Sequence, residues 1–77
     1  MKYFITIKDL LMGPVLNRVM LFSKTIEEVK LHAQELLFDQ AQTDQRIVMA
    51  NEVIIEDTEK EIAKGNITYN GEIRWES

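Results

Sequence analysis

The sequence predicts an α+β fold: a single small domain with an N-terminal β-hairpin and one helix packed on a mixed or antiparallel sheet of four to five strands. Three observations support this fold class. Residues 25–42 have a helical period, the segments on both sides are rich in β-branched and aromatic residues, and 77 residues are enough for one domain only. The strand candidates are residues 2–8, 17–23, 45–50, 52–57, 61–69 and 72–76.

The helix is the best-defined element. Thr25 followed by Glu28 fits a capping box, in which each side chain satisfies a free backbone N–H near the helix start. At about 100° per residue, one face of the helix is apolar. That face consists of Ile26, Val29, Ala33, Leu36, Leu37 and Ala41.

Two apolar helix residues, Leu31 and Phe38, fall outside that face. One interpretation is that they are single side chains half covered by their neighbours, which is common on protein surfaces. The alternative is a second contact surface, against a partner or a second copy of the chain. The sequence leaves both open.

The chain begins with a predicted hairpin. Residues 3–8 (YFITIK) have the composition of a strand, Gly13-Pro14 is a strong turn signal, and residues 17–22 (NRVMLF) form the second strand. Since Ser23 and Lys24 lead directly into the helix, hairpin and helix follow each other without a long loop. After the helix, residues 52–57 either continue the strand at 45–50 or pair with it.

The C-terminal third allows two arrangements. In a β-meander, Asn70-Gly71 forms a two-residue type I′ turn, so that Tyr69 pairs with Glu72 and Ile67 pairs with Arg74. In the alternative, residues 62–67 form a short turn-like segment and residues 68–72 form a longer loop. Ile67, Ile73 and Trp75 then share the core face.

Composition and motifs predict a protein without an assembled reactive centre. There is no cysteine, the only histidine is His32, and the three glycines lie at turns or bends rather than in a phosphate-binding loop. No apolar run reaches the roughly 18 residues of a membrane span. We therefore expect no enzymatic activity, no metal and no cofactor, and a cytoplasmic location (the host cytoplasm if the chain is phage-encoded).

Charge is unevenly distributed. Residues 1–38 carry five Lys/Arg and four Asp/Glu, whereas residues 39–77 carry four and nine. An acidic half disfavours direct nucleic-acid binding, which needs a basic surface. The acidic residues concentrate at Glu52, Glu56, Asp57, Glu59 and Glu61. This group is either a solvated edge that discourages aggregation or an anionic strip that meets a basic groove.

Several segments resemble ubiquitin-like (β-grasp) proteins. They are Thr25-Ile26-Glu27-Glu28-Val29-Lys30, the stretch Asp44-Gln45-Arg46-Ile47-Val48-Met49-Ala50, and the spacing Ile62…Asn66-Ile67…Asn70-Gly71-Glu72-x-Arg74. The resemblance implies a module that binds partners through its sheet, with Arg46, Val48 and Arg74 on the recognition face and Ile47, Ile73 and Trp75 in the core. The chain ends Trp75-Glu76-Ser77 without a diglycine tail, so conjugation is not implied.

In composition and topology the chain also resembles small phage inhibitors of bacterial defence nucleases, of the anti-CRISPR type. Two functions are therefore expected, both non-catalytic binding of a larger protein or complex. The first is an inhibitor or adapter whose acidic surface docks on a basic, nucleic-acid-handling partner. The second is a ubiquitin-like accessory subunit of a bacterial secretion or oxygenase complex. Tyr69 and Arg74 are further binding candidates, because Tyr and Arg dominate binding hot spots.

Overall fold

The computed structural model describes residues 1–11, 13–42 and 50–76. In this part of the chain one helix packs on a five-stranded antiparallel sheet, which confirms the α+β class. The elements are β1 (Lys2–Asp9), β2 (Gly13–Phe22), α1 (Ile26–Ala41), β3 (Glu52–Glu56), β4 (Glu61–Ile67) and β5 (Ile73–Trp75). The strand predicted at 45–50 lies outside the described residues except for Ala50.

The strand order in the sheet is β2-β1-β3-β4-β5, and the predicted N-terminal hairpin forms its first two strands. β2 begins at Gly13, earlier than the predicted residue 17, because Asp9 already pairs with Gly13. Pro14 is tolerated in β2 because only about every second N–H group of an edge strand donates a hydrogen bond to the neighbouring strand. Arg18, at a φ of 53°, lies where the register of the hairpin shifts.

The core lies between one face of the sheet and α1. Alternation in the central strands β1 and β3 places every second side chain beneath the helix. The fully buried side chains there include Ile5, Ile7, Val53 and Ile55, and the helix contributes Val29, Ala33 and Leu37. Ile26, Leu36 and Ala41 are partly buried against the same cluster, so the predicted apolar face of the helix is the face that packs.

The helix start forms half of the predicted capping box. Thr25 Oγ1 accepts a hydrogen bond from the Glu28 backbone N–H at 3.2 Å, which satisfies one of the free donors of the first turn. The reciprocal bond is replaced, because the Glu28 carboxylate accepts from the Ser23 hydroxyl at 2.7 Å. Glu28 therefore ties the end of β2 to the helix.

The C-terminal third is a β-meander, but the two-residue turn predicted for it is wrong. Ile67 pairs with Ile73, and Gly65 pairs with Trp75, so residues 68–72 form a longer loop. The Thr68 N–H donates to Glu72 O at 2.8 Å and closes this loop. The alternative arrangement was wrong about residues 62–67, which belong to β4, but right that Ile67, Ile73 and Trp75 share the core face.

One helix side chain holds the 68–72 loop and β5 in this register. Gln34 Nε2 donates to Gly71 O at 2.8 Å, and Gln34 Oε1 accepts from Ile73 N at 2.9 Å. One turn earlier on the helix, Lys30 Nζ lies 5.5 Å from the ring centre of Trp75. Since Gly65 has no side chain, the ring of Trp75 can lie directly against its backbone.

Candidate protein-binding surface

The acidic group predicted from the sequence follows β3, the turn after it and the start of β4. Glu52 and Glu56 are the two ends of β3, Asp57 and Glu59 lie in the β3–β4 turn, and Glu61 begins β4. The structure thus brings the five residues onto one hairpin. Their surroundings differ, and the differences decide which of them a partner can reach.

Glu52 is buried on the face of the sheet opposite the helix. Only 6% of the residue is exposed, and its Oε1 lies 3.5 Å from Lys8 Nζ and 3.7 Å from Lys64 Nζ. The strand register explains this position, since Lys8 is directly opposite Glu52 on β1 and Lys64 is its diagonal neighbour on β4. Glu52 is therefore a paired interior carboxylate and offers little surface to a partner.

Glu56 is also paired. Its Oε1 accepts a hydrogen bond from Arg18 Nη1 at 2.9 Å, and the Arg18 guanidinium lies over the ring of Phe4 with 4.2 Å between Cζ and the ring centre. The bulge in β2 gives Arg18 this direction. The charge of Glu56 is thus largely balanced within the chain.

Asp57 organises the β3–β4 turn. Its Oδ1 accepts from the backbone N–H of Glu59 at 2.7 Å and of Lys60 at 2.8 Å, and the Asp57 N–H donates to Lys60 O at 2.9 Å. The hydrogen bond from Glu59, followed by that from Lys60, lowers the pKa of Asp57 below its ordinary value of 3.8. This turn presents the exposed residues Glu59 and Glu61 to solvent.

The other predicted binding residues do not join this turn. Tyr69 is fully exposed in the 68–72 loop, at the opposite end of β4 from Glu61. With about 3.3 Å per strand residue, the two ends of β4 are about 20 Å apart. Arg74 is exposed on the helix-free face, whereas Arg46 and Val48 lie outside the described residues. Among the candidates in the described part of the chain, the structure therefore shows no single surface that unites them all.

Leu31 and Phe38 remain exposed, at 67% and 47%. Phe38 is not isolated, because its ring packs on the backbone of Gly71; a Cβ added there would lie 3.1 Å from Phe38 Cε1. In the described part of the chain, Leu31 belongs neither to the buried core nor to the side chains that pack against it. The self-association predicted for this pair stays a prediction.

The basic character of the helix-free face was not predictable from the sequence. This face carries cations from four of the five strands. They are Lys2, Lys8, Arg18, Lys64 and Arg74. Only the tertiary register gathers them, since they come from four strands that are separated along the chain. Three of these five cations are paired with carboxylates: Lys8 and Lys64 with Glu52, and Arg18 with Glu56.

A groove of about 570 Å³ opens beside the 68–72 loop. Its walls come from the end of the helix, from Ala50 and Asn51, and from the loop itself. Among the described residues no group of three or more His, Asp or Glu is placed to hold a metal ion. In the same part of the chain no helix has the length and apolar character needed to cross a bilayer.

Comparison with models of known protein families finds no match, and comparisons with curated proteins and with solved structures find none either.

Proposed function

We propose that this chain is a non-catalytic protein-binding module, a small inhibitor or adapter of the kind that phages use against bacterial defence nucleases. It docks the acidic β3–β4 turn on a basic surface of a larger, nucleic-acid-handling protein. The observation that carries the proposal is the exposure of Glu59 and Glu61 on a turn held in shape by Asp57.

Preorganisation makes this turn better suited to binding than a flexible acidic loop. Because two backbone N–H groups already bond to Asp57, ordering the turn on binding costs little conformational entropy. The carboxylates of Glu59 and Glu61 then stand where phosphates of a nucleic acid lie in a basic groove. Such charges mainly raise the association rate and set the orientation of the complex.

Three of the five cations on the helix-free face are paired with carboxylates, which supports a protein partner rather than a nucleic acid. A nucleic-acid surface needs cations free to displace counterions from phosphates. Here Lys8 and Lys64 face the buried Glu52, and Arg18 bonds to Glu56. These three cations already form ion pairs with carboxylates of the same chain.

The experiment first captures a partner from host extract on the immobilised protein, then measures its affinity as a purified protein by calorimetry at low and high salt. We expect Glu59→Lys with Glu61→Lys to weaken binding about tenfold or more, which is about 1.4 kcal/mol, and to flatten the salt dependence. The matched control is Glu35→Lys with Glu72→Lys, which makes the same change of net charge at exposed sites away from the turn. Equal weakening by both double variants contradicts the proposal.

Arg74 favours one competing function, the ubiquitin-like accessory subunit, because it is exposed on the helix-free face as a recognition residue must be. Under that function Val48→Asp abolishes binding and the changes at Glu59 and Glu61 have almost no effect. The same calorimetric measurement therefore separates the two functions.

A further inference from the structure

The two edges of the sheet differ in how they are protected against pairing with another strand. β5 is only three residues long, whereas β2 has ten residues, of which Arg18 alone is charged. In the first part of β2, Pro14 lacks an N–H and the bulge at Arg18 interrupts a regular edge. Residues 19–22 (VMLF) carry neither protection.

The hydrogen bonds of the hairpin show which backbone groups of this segment are free. Met1 and Ser23 exchange two bonds, of 2.8 and 3.0 Å. Because hydrogen-bonded and non-hydrogen-bonded pairs alternate along an antiparallel ladder, Leu21 also bonds to β1. The N–H and C=O groups of Met20 and Phe22 therefore point away from β1, toward the edge of the sheet that no strand of the described residues covers.

The side chains at this edge are apolar and accessible. Met20 is 52% exposed and Phe22 is 68% exposed, both on the helix-free face. The nearest charge on the strand, Arg18, is neutralised by Glu56 at 2.9 Å. Residues 19–22 are themselves uncharged, and the charges beside them are the cationic N-terminus of Met1 and the side chain of Lys2, although the chain as a whole carries a net charge of −4.

We propose that two copies of this chain associate through β2, antiparallel, about a two-fold axis at Leu21. In this register Met20 faces Phe22 of the second copy and Phe22 faces its Met20, so every outward group of these residues finds a partner. Leu21 faces its own equivalent. An isologous contact requires such self-complementarity. The exposed apolar side chains of Met20 and Phe22 face each other across the two-fold axis, which favours a second copy as the occupant.

The register can be tested by cross-linking, since the chain contains no cysteine. In the proposed dimer the two Leu21 residues form a non-hydrogen-bonded pair with Cα atoms about 4.5 Å apart, within the range of a disulfide. Val19 lies at least about 13 Å from its equivalent. We expect Leu21→Cys to form a disulfide dimer at least about tenfold faster than Val19→Cys under mild oxidation. Equal rates, or a faster Val19→Cys, would overturn the proposal.

Because Leu21→Cys replaces a partly buried side chain, a second measurement uses exposed positions only. In sedimentation velocity we expect twice the 9.0 kDa of one chain for the unmodified protein at high concentration. Met20→Lys with Phe22→Lys should give the mass of one chain. The control, Leu11→Lys with Leu31→Lys, alters equally apolar exposed sites away from the β2 edge and should keep the dimer.

A monomer at all concentrations for the unmodified protein refutes the dimer. Loss of the dimer in the Leu11–Leu31 control places the contact elsewhere and equally refutes it. Neither result depends on the partner proposed for the acidic turn, since no partner is present in these measurements.

Discussion

Gln34 gives the sharpest test of how the C-terminal strand is held, because one side chain satisfies two backbone groups of a different element. Gln34→Ala removes both hydrogen bonds and leaves Gly71 O and Ile73 N partly buried without that partner. A lost hydrogen bond costs about 1 kcal/mol net, and the cost is larger where the remaining group is desolvated. The better helix propensity of Ala offsets this loss by only about 0.3 kcal/mol. We expect the free energy of unfolding to fall by about 2 kcal/mol.

Urea unfolding followed by circular dichroism measures this change, and the melting temperature should fall by about 8–16 °C for a domain of this size. Glu35→Ala is the matched control, since Glu35 is the neighbouring helix residue and is exposed. We expect it to stay within about 0.5 kcal/mol of the unmodified protein. If Gln34→Ala is equally harmless, Gln34 does not hold the loop.

Gln34→Glu refines the same test. The new carboxyl keeps the acceptor for Ile73 N but faces Gly71 O where an N–H donated before. Because repulsion from the Gly71 carbonyl outweighs the single N–H bond from Ile73 in this partly buried site, we expect the pKa of this carboxyl to lie above the ordinary value of about 4.3. The protonated form, which can donate to Gly71 O, is stabilising below that value, and its stabilisation is lost as the pH rises through the raised pKa. The deficit against the unmodified protein should therefore be smaller at pH 4 than at pH 7; an unchanged deficit refutes the assigned geometry.

Three further predictions concern local contacts. Gly65→Ala places a Cβ 2.7 Å from Ile73 Cγ2 and 3.1 Å from Arg74 O, so urea unfolding should show a loss of about 1–3 kcal/mol; unchanged stability would contradict the packing. Thr25→Ala should cost about 1 kcal/mol in thermal melts, and Thr25→Ser should recover most of it. Because the pKa of Asp57 is lowered, its stabilisation is present above 3.8 and lost as the pH falls through the lowered pKa. The gap in urea midpoint between the unmodified protein and Asp57→Asn should shrink in that acid range, and a constant gap would contradict the turn.

The helix and the N-terminal hairpin were predictable because their signals are local. The period of the apolar residues in α1, the Thr25 cap and the alternation in β1 each involve residues within a few positions of one another. Helix geometry and strand alternation convert such spacing directly into a buried face. The α+β class follows from these local features and from the short chain.

The register of the last strand was not predictable in this way. The Asn70-Gly71 pair favours a two-residue turn, which places Ile67 opposite Arg74. That register puts large apolar groups on both faces of the sheet, whereas the observed pairing of Ile67 with Ile73 places both on the core side. Burial of these side chains and the two bonds from Gln34 outweigh the local turn preference.

The sequence by itself determined which segments form the helix and the hairpin, and that the acidic residues lie close together along the chain. The tertiary structure alone decided which of them remain available, because Glu52 and Glu56 meet Lys8, Lys64 and Arg18 only after the strands have paired. Strand register joins residues distant in sequence, and a charge pattern read along one strand contains no information about the strands beside it. The acidic surface is consequently smaller than the composition indicates, and it is concentrated at Glu59 and Glu61 on the β3–β4 hairpin.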